Sequence, residues 1–283
     1  MGNKLGHLIY TYNNLDDAYI QQELSKKLYA QQFGGVQLVH AYDGKPEFGY
    51  KKYLEDELIT IDNPGHFRGA TALINTGLNY FMEHGDPEVQ YVLVAASDSW
   101  LLNVGYLEKI IATMQSENRV LAASSWFSAY PQEMRGFSTD FFIIDITWNR
   151  EAKLFPLGYD AFVKKFEDVL ALNGEFPFME RAVQYYFQKY LMANYEDYSA
   201  KHHGNELMLR ITSREPVDGD QRAYNREEIG LFTAPDPAPK QAALKALGIE
   251  LGPHSKKLVE ATDLSYYNLG RDWQGTYPVM ATI

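Results

Sequence analysis

The chain contains no cysteine. That excludes a disulfide scaffold, cysteine-ligated zinc or iron–sulfur sites, and a thiol nucleophile. Positive charge is scarce as well: 26 Lys and Arg stand against 37 Asp and Glu, a net charge of −11 over 283 residues. Such a chain lacks the clustered cations that neutralise phosphate backbones, so nucleic acid is not an expected partner. No apolar run approaches the ~20 residues that span a bilayer. The longest weakly charged stretch, 89–107, carries Asp98 in its middle and Asn103 near its end. Residues 1–8 lack a charged start followed by a long apolar run, so no signal peptide is expected there. With the missing cysteines, this fits a cytoplasmic, reducing setting.

Phosphate-binding glycine loops are missing too. There is no G-x-G-x-x-G turn, no G-x-x-x-x-G-K-[ST] and no G-x-S-x-G elbow, which weighs against dehydrogenases, P-loop enzymes and α/β-hydrolases. What abounds is aromatic: 21 Tyr, 15 Phe and 4 Trp make 14% of the chain. Rings stack on the apolar faces of sugars while their polar tips hydrogen-bond. Tyr and Phe are equally good strand formers, and composition alone does not separate the two uses.

Apolar runs alternate with amphipathic stretches over the first two hundred residues. Strands are expected at 8–12, 36–40, 58–61, 91–96, 120–124 and 137–146. Helices are expected from Asn14 or Asp16 to Gly34, and at 68–83, 104–115, 162–172 and 178–192. The run Tyr91-Val92-Leu93-Val94-Ala95-Ala96 is apolar throughout, as a central parallel strand covered on both faces requires. The rhythm predicts an α/β fold with a mostly parallel central sheet flanked by helices. Pro235, Pro237 and Pro239 mark a linker, a short helix is expected at 240–247, and the pattern after 264 is aromatic and irregular. The pattern sets a main unit over 1–235, with halves meeting at about 125, apart from an accessory C-terminal extension over 236–283. Polar residues cluster where strands end: Tyr12-Asn13-Asn14, Asp43-Gly44 and Ser97-Asp98-Ser99. In open parallel sheets ligands gather outside those ends.

The order of these motifs resembles the nucleotide-sugar glycosyltransferases of the GT-A fold, in particular family 2-like members. The resemblance runs over about 8–192: Thr11-Tyr12-Asn13 after the first strand, Asp43-Gly44 after the second, a glycine-, alanine- and asparagine-rich helix start at 63–77, and a buried strand ending in Asp98. It implies transfer of a sugar from a nucleotide-sugar donor to a hydroxyl acceptor, a glycan or a small molecule, by a single inverting displacement. It implies a catalytic unit over 1–235, with its donor half to about 125 and its acceptor half over about 126–235, and an extension that packs on the sheet, builds part of the acceptor site or forms an oligomer contact. It implies that Tyr12, Asn13 and Asp43 hold the base and ribose, and that Asp98 meets the diphosphate through a divalent metal, Mn or Mg. The family's metal motif has two acids, whereas Ala96-Ser97-Asp98 has one, and one carboxylate holds a metal–diphosphate less tightly than two. His202-His203 lie where a late histidine ligand is found in some members, which makes His203 a metal candidate. The family's base opens the helix after the acceptor loop, often as a Glu-Asp pair. Glu180 stands there, followed by Arg181 rather than a second acid.

Each of these residues has a plainer reading. Asp98 could cap the next helix or accept bonds from its serine neighbours. Glu180 could be an ordinary acid in a helix's first turn, favoured by the dipole. Asp140, between Thr139 and Phe141, is either a sugar ligand and second base candidate or a turn cap. Arg68, at the glycine-rich helix start, could join backbone N–H groups around an anionic donor. Trp100, Trp126 and Tyr130 lie near strand ends and are expected on the acceptor side. A sugar nucleotidyltransferase would share the architecture, but its first loop should carry Gly and basic residues, and 13–17 has neither. A non-catalytic carbohydrate- or nucleotide-binding protein of the same fold is the other alternative.

Overall fold

A computed structural model describes residues 4–12, 15–46, 50, 52, 56–101, 103–128, 134–173, 178–197, 207–211 and 231–232. The chain folds as an α/β protein around a seven-stranded mixed sheet, with strand order β3-β2-β1-β4-β7-β6-β8. The strands are β1 (Lys4–Thr11), β2 (Val36–Tyr42), β3 (Glu57–Thr60), β4 (Val89–Ala96), β6 (Leu121–Ser128), β7 (Met134–Asp145) and β8 (Met208–Arg210). A two-stranded ladder joins β5 (Trp100–Leu101) to β9 (Leu231–Phe232). The proposed accessory segment 236–283 lies outside the described residues.

Strands β3, β2, β1 and β4 run parallel, as the alternating pattern predicts. The exception is β7, which pairs antiparallel with both β4 and β6. Its cause is loop length. Only residues 129–133 separate β6 from β7, whereas a parallel crossover needs a dozen residues or more. The strand expected to run to Ile146 stops at Asp145, whose carboxylate accepts from Thr147 N and Trp148 N and so caps α5 (Ile146–Ala152).

Helices cover both faces. The first is composite: α1 (Leu15–Leu24), a π-helical turn (Ser25–Tyr29) and α2 (Ala30–Gln32). Then come α3 (His66–His84), α4 (Val104–Ser116), α6 (Tyr159–Asn173) and α7 (Met179–Leu191). Side chains alternate across a strand, and β4 shows the consequence. Val92, Val94 and Ala96 join the core built with α3, α5, α6 and α7, while Tyr91, Leu93 and Ala95 join the one built with α4. Close approach of α3 to β1 depends on Gly77, where a Cβ would come within 2.2 Å of Leu8 Cδ1. Among the described residues no helix is long and apolar enough to cross a membrane.

This topology fixes where function can gather. The carboxyl ends of β1, β2 and β4 share one edge of the sheet. Because Phe141 pairs with Ala95 on the reversed strand β7, residues 138–140 come to that same edge, beside the 97–98 turn.

Candidate functional site

Four carboxylates lie along this edge in three groups: Asp43, Asp98, and the pair Asp140 and Glu180. Asp43 follows β2, and it is buried at 5% exposure. Its Oδ1 has no hydrogen-bond partner among the described residues. Burial pushes its carboxyl up to about 6, against a smaller downward pull from its own backbone N–H. The first turn of α3 lies close: a Cβ at Gly69 would sit 2.5 Å from Asp43 Oδ2. The glycine in that helix start therefore leaves room for the carboxylate, and any larger residue would displace it. Tyr42, stacked on Tyr50 with ring centroids 4.9 Å apart, flanks the same strand end.

Asp98 lies in the turn after β4 and is half-buried. Its neighbours are buried, Ser97 at 3% and Ser99 at 1%. The turn is pinned by its backbone: Ser97 N donates to Tyr10 O at 3.0 Å and Ser99 N to Ala96 O at 2.9 Å. Asp98 does not cap α4, because Asn103 takes that role through its bond from Tyr106 N.

The third group joins β7 to α7. Thr139 Oγ1 donates to Glu180 Oε1 at 2.9 Å, and Tyr10 OH reaches Asp140 Oδ1 and Thr139 O, both at 3.3 Å. Glu180 is half-buried in the first turn of α7. Arg181 behind it is 1% exposed and belongs to the packed side of the helix. Glu180 and Asp140, the two base candidates, thus flank a single threonine.

The remaining expected residues are placed as follows. Trp100 is at the edge but 1% exposed, with its indole N–H donating to Ser97 O at 3.0 Å. A ring buried that far offers no face to an acceptor, so its role is corrected to packing and holding the turn. Arg68 is exposed on α3 and pairs with Asp160 of α6 at 2.7 Å, an exposed pair worth about 0–1 kcal/mol. Trp126 lies on β6 opposite Gly136. Tyr12 is half-buried directly after β1. Asn13, Tyr130 and His203 lie outside the described residues. Asn75, part of the asparagine-bearing helix start, serves the fold, because its amide exchanges hydrogen bonds with the backbone of Leu157.

Sequence reasoning missed Thr11, whose buried Oγ1 lacks a partner among the described residues, as does Ser99 Oγ. It also missed β9, which brings residues 231–232 against the strand that follows the Asp98 turn. A two-residue strand has no periodicity to detect. For Thr11 the signal was available, since it closes β1 immediately before the Tyr12 turn.

Among the described residues, no group of three His, Asp or Glu is arranged to hold a metal ion. Asp98 is the one acid of its turn, so these residues do not by themselves form a metal cage. No protein-family model matches the chain, and no curated protein matches it significantly.

Proposed function

We propose that the carboxyl edge of the sheet is the donor and acceptor site of a glycosyltransferase acting on a nucleotide-sugar. One observation carries the reading: Thr11 Oγ1, Asp43 Oδ1 and Ser99 Oγ are buried polar atoms without partners among the described residues, at the ends of β1 and β2 and in the turn after β4. Orphaned buried polar atoms are costly in a finished interior. Three at one edge are consistent with a polar ligand completing them. The motif order that resembles GT-A enzymes points to the same edge.

In this reading Asp43 and Tyr12 hold the nucleoside and Asp98 faces the diphosphate. Glu180, oriented by Thr139, takes the acceptor hydroxyl proton as that oxygen bonds to the anomeric carbon. The bond from the anomeric carbon to the diphosphate oxygen breaks on the opposite side, releasing a nucleoside diphosphate and leaving an inverted glycoside. A divalent cation bound with the donor would neutralise charge developing on that leaving group. The described residues offer it Asp98 alone, so no step is routed through it.

A second reading, a binding protein without turnover, is favoured by the single acid in the Asp98 turn. A donor screen separates the two. UDP-, GDP- and dTDP-sugars are offered with Mg²⁺ or Mn²⁺, and hydrolysis or transfer is followed by release of the diphosphate. Turnover by the parent protein, reduced about a hundredfold or more in Asp98→Asn at an unchanged melting temperature, is the expected result. Nucleotide binding without turnover would favour the binding protein, and full activity in Asp98→Asn would remove Asp98 from the site.

A further inference from the structure

A buried polar relay runs from the composite first helix to the turn that carries Asp98. Gln21 on α1 is 2% exposed, and its amide nitrogen donates both to Ala96 O and, at 2.8 Å, to Ser99 O. Its amide oxygen lies 3.0 Å from His7 Nε2, and His7 Nδ1 lies 3.1 Å from Ser25 Oγ. His7 and Ser25 are buried at 1% and 0%.

Chemistry fixes every direction in this chain. Two carbonyls can only accept, so the amide end facing them must be the nitrogen, with both of its hydrogens used. The amide oxygen can only accept, so His7 Nε2 carries the proton. The neutral ring then accepts at Nδ1 from the Ser25 hydroxyl. Burial, reinforced by His40, lowers the His7 imidazole to about 3, so the ring stays neutral at ordinary pH. Ser25 opens the π-helical turn, whose wider winding also sets buried Tyr29 inward. Tyr29 OH donates to Leu101 O at 2.6 Å. The helix thereby grips the chain on both sides of Asp98, at 96, 99 and 101.

We infer that Gln21 is a positioning residue, set by His7 and Ser25, which fixes the 96–99 turn so that Asp98 faces the donor site. Within the turn the Trp100 indole N–H holds Ser97 O, and Gln21 holds the carbonyls of Ala96 and Ser99 on either side of it. Ala96 O is shared, accepting from Ser99 N as well as from Gln21, while Ser97 N donates to Tyr10 O. The functional half of the inference rests on the donor-site reading of Asp98; the structural half does not.

Two measurements test it. Nitrogen-15 NMR of the unaltered protein reads the His7 tautomer: protonation at Nε2 alone, persisting at pH 5, is expected, and an Nδ1-protonated ring would overturn the relay. Gln21→Met keeps the side-chain length and removes both donors. Amide exchange at Ser97 and Ser99 should speed up by roughly thirtyfold for two lost hydrogen bonds, while Leu93 and Val94 in β4 keep their protection. Equal acceleration at all four amides would show a general loss of stability and overturn the positioning role. UDP with magnesium is then titrated into both proteins. Weaker binding only in the variant supports the orientation of Asp98, and equal binding overturns it. If neither binds, the donor reading fails for this nucleotide, and the exchange pattern still decides the role of Gln21 in the turn.

Discussion

Asp43→Asn should make the protein harder to unfold at pH 7 and at the same time weaken the proposed nucleotide binding. The Asp43 carboxyl is buried, with no partner for Oδ1 among the described residues, and its ionisation is raised from 3.8 to about 6. At ~1.4 kcal/mol per pH unit, ionised Asp43 costs the fold about 3 kcal/mol above pH 6. Asparagine has nearly the same shape and no charge. Its own unsatisfied amide costs about 1–3 kcal/mol, so a net gain of up to about 2 kcal/mol is expected.

The pH dependence separates this from any generic effect. Between pH 3.8 and 6 the folded state binds the Asp43 proton that the unfolded state has released, so stability falls as pH rises through that window. The advantage of the variant should therefore be complete above pH 6 and gone near pH 4. His7 is lowered to about 3, so its burial weakens both proteins alike as pH drops below 6.5. The difference between them isolates Asp43. Urea unfolding at pH 7.5 and pH 4.5 measures it, and a variant less stable at both values would show that Asp43 contributes to the fold rather than to a ligand. Nucleotide affinity should fall about tenfold or more, the usual effect of removing one charged hydrogen-bond partner.

The second large effect is expected at Glu180. Glu180→Gln keeps an oxygen for the Thr139 hydroxyl, which donates at 2.9 Å, so the local structure should persist. What is lost is the ability to take a proton. General-base catalysis is worth about 10²–10⁴-fold, and that loss should appear in kcat with KM for the donor nearly unchanged. An unchanged kcat would move the base to Asp140, which Tyr10 OH reaches at 3.3 Å on the other side of Thr139. Thr139→Val should give a smaller loss of the same kind, because it removes one hydrogen bond that orients the Glu180 carboxylate and leaves the carboxylate in place.

Much of this architecture could be read from the residues. Strand β4 is unmistakable because an apolar run with no polar alternation fits only a strand covered on both faces, and α3, α4 and α7 carry clear helical periodicity. Strand β7 was expected at 137–146 and lies at Met134–Asp145, but its reversed direction was not legible, because periodicity reports which faces are buried and is silent on strand direction. The short 129–133 connection held the information. The site divides along the same line. Asp43, Asp98, Asp140 and Glu180 were legible as polar residues at element ends, where strand order brings them together. Trp100 misled, since a ring beside a strand end can point into the core as readily as out of it. Gln21, His7 and Ser25 were hidden because their meaning lies in contacts across the sequence, from 14 to 78 residues apart. A faint trace existed: Gln21 shares a helix face with Ala18 and Leu24, both buried, and a polar residue on an apolar face must find a partner inside.

The expected effects on binding and turnover depend on the edge formed by β1, β2, β4 and β7 being a nucleotide site. A crystal structure of the protein soaked with UDP and manganese tests it most directly. The expected result is a nucleotide with its base or ribose on Asp43 Oδ1 and its diphosphate at the Asp98 turn. A nucleotide bound elsewhere on the molecule, with Thr11, Asp43 and Ser99 untouched, would contradict that assignment.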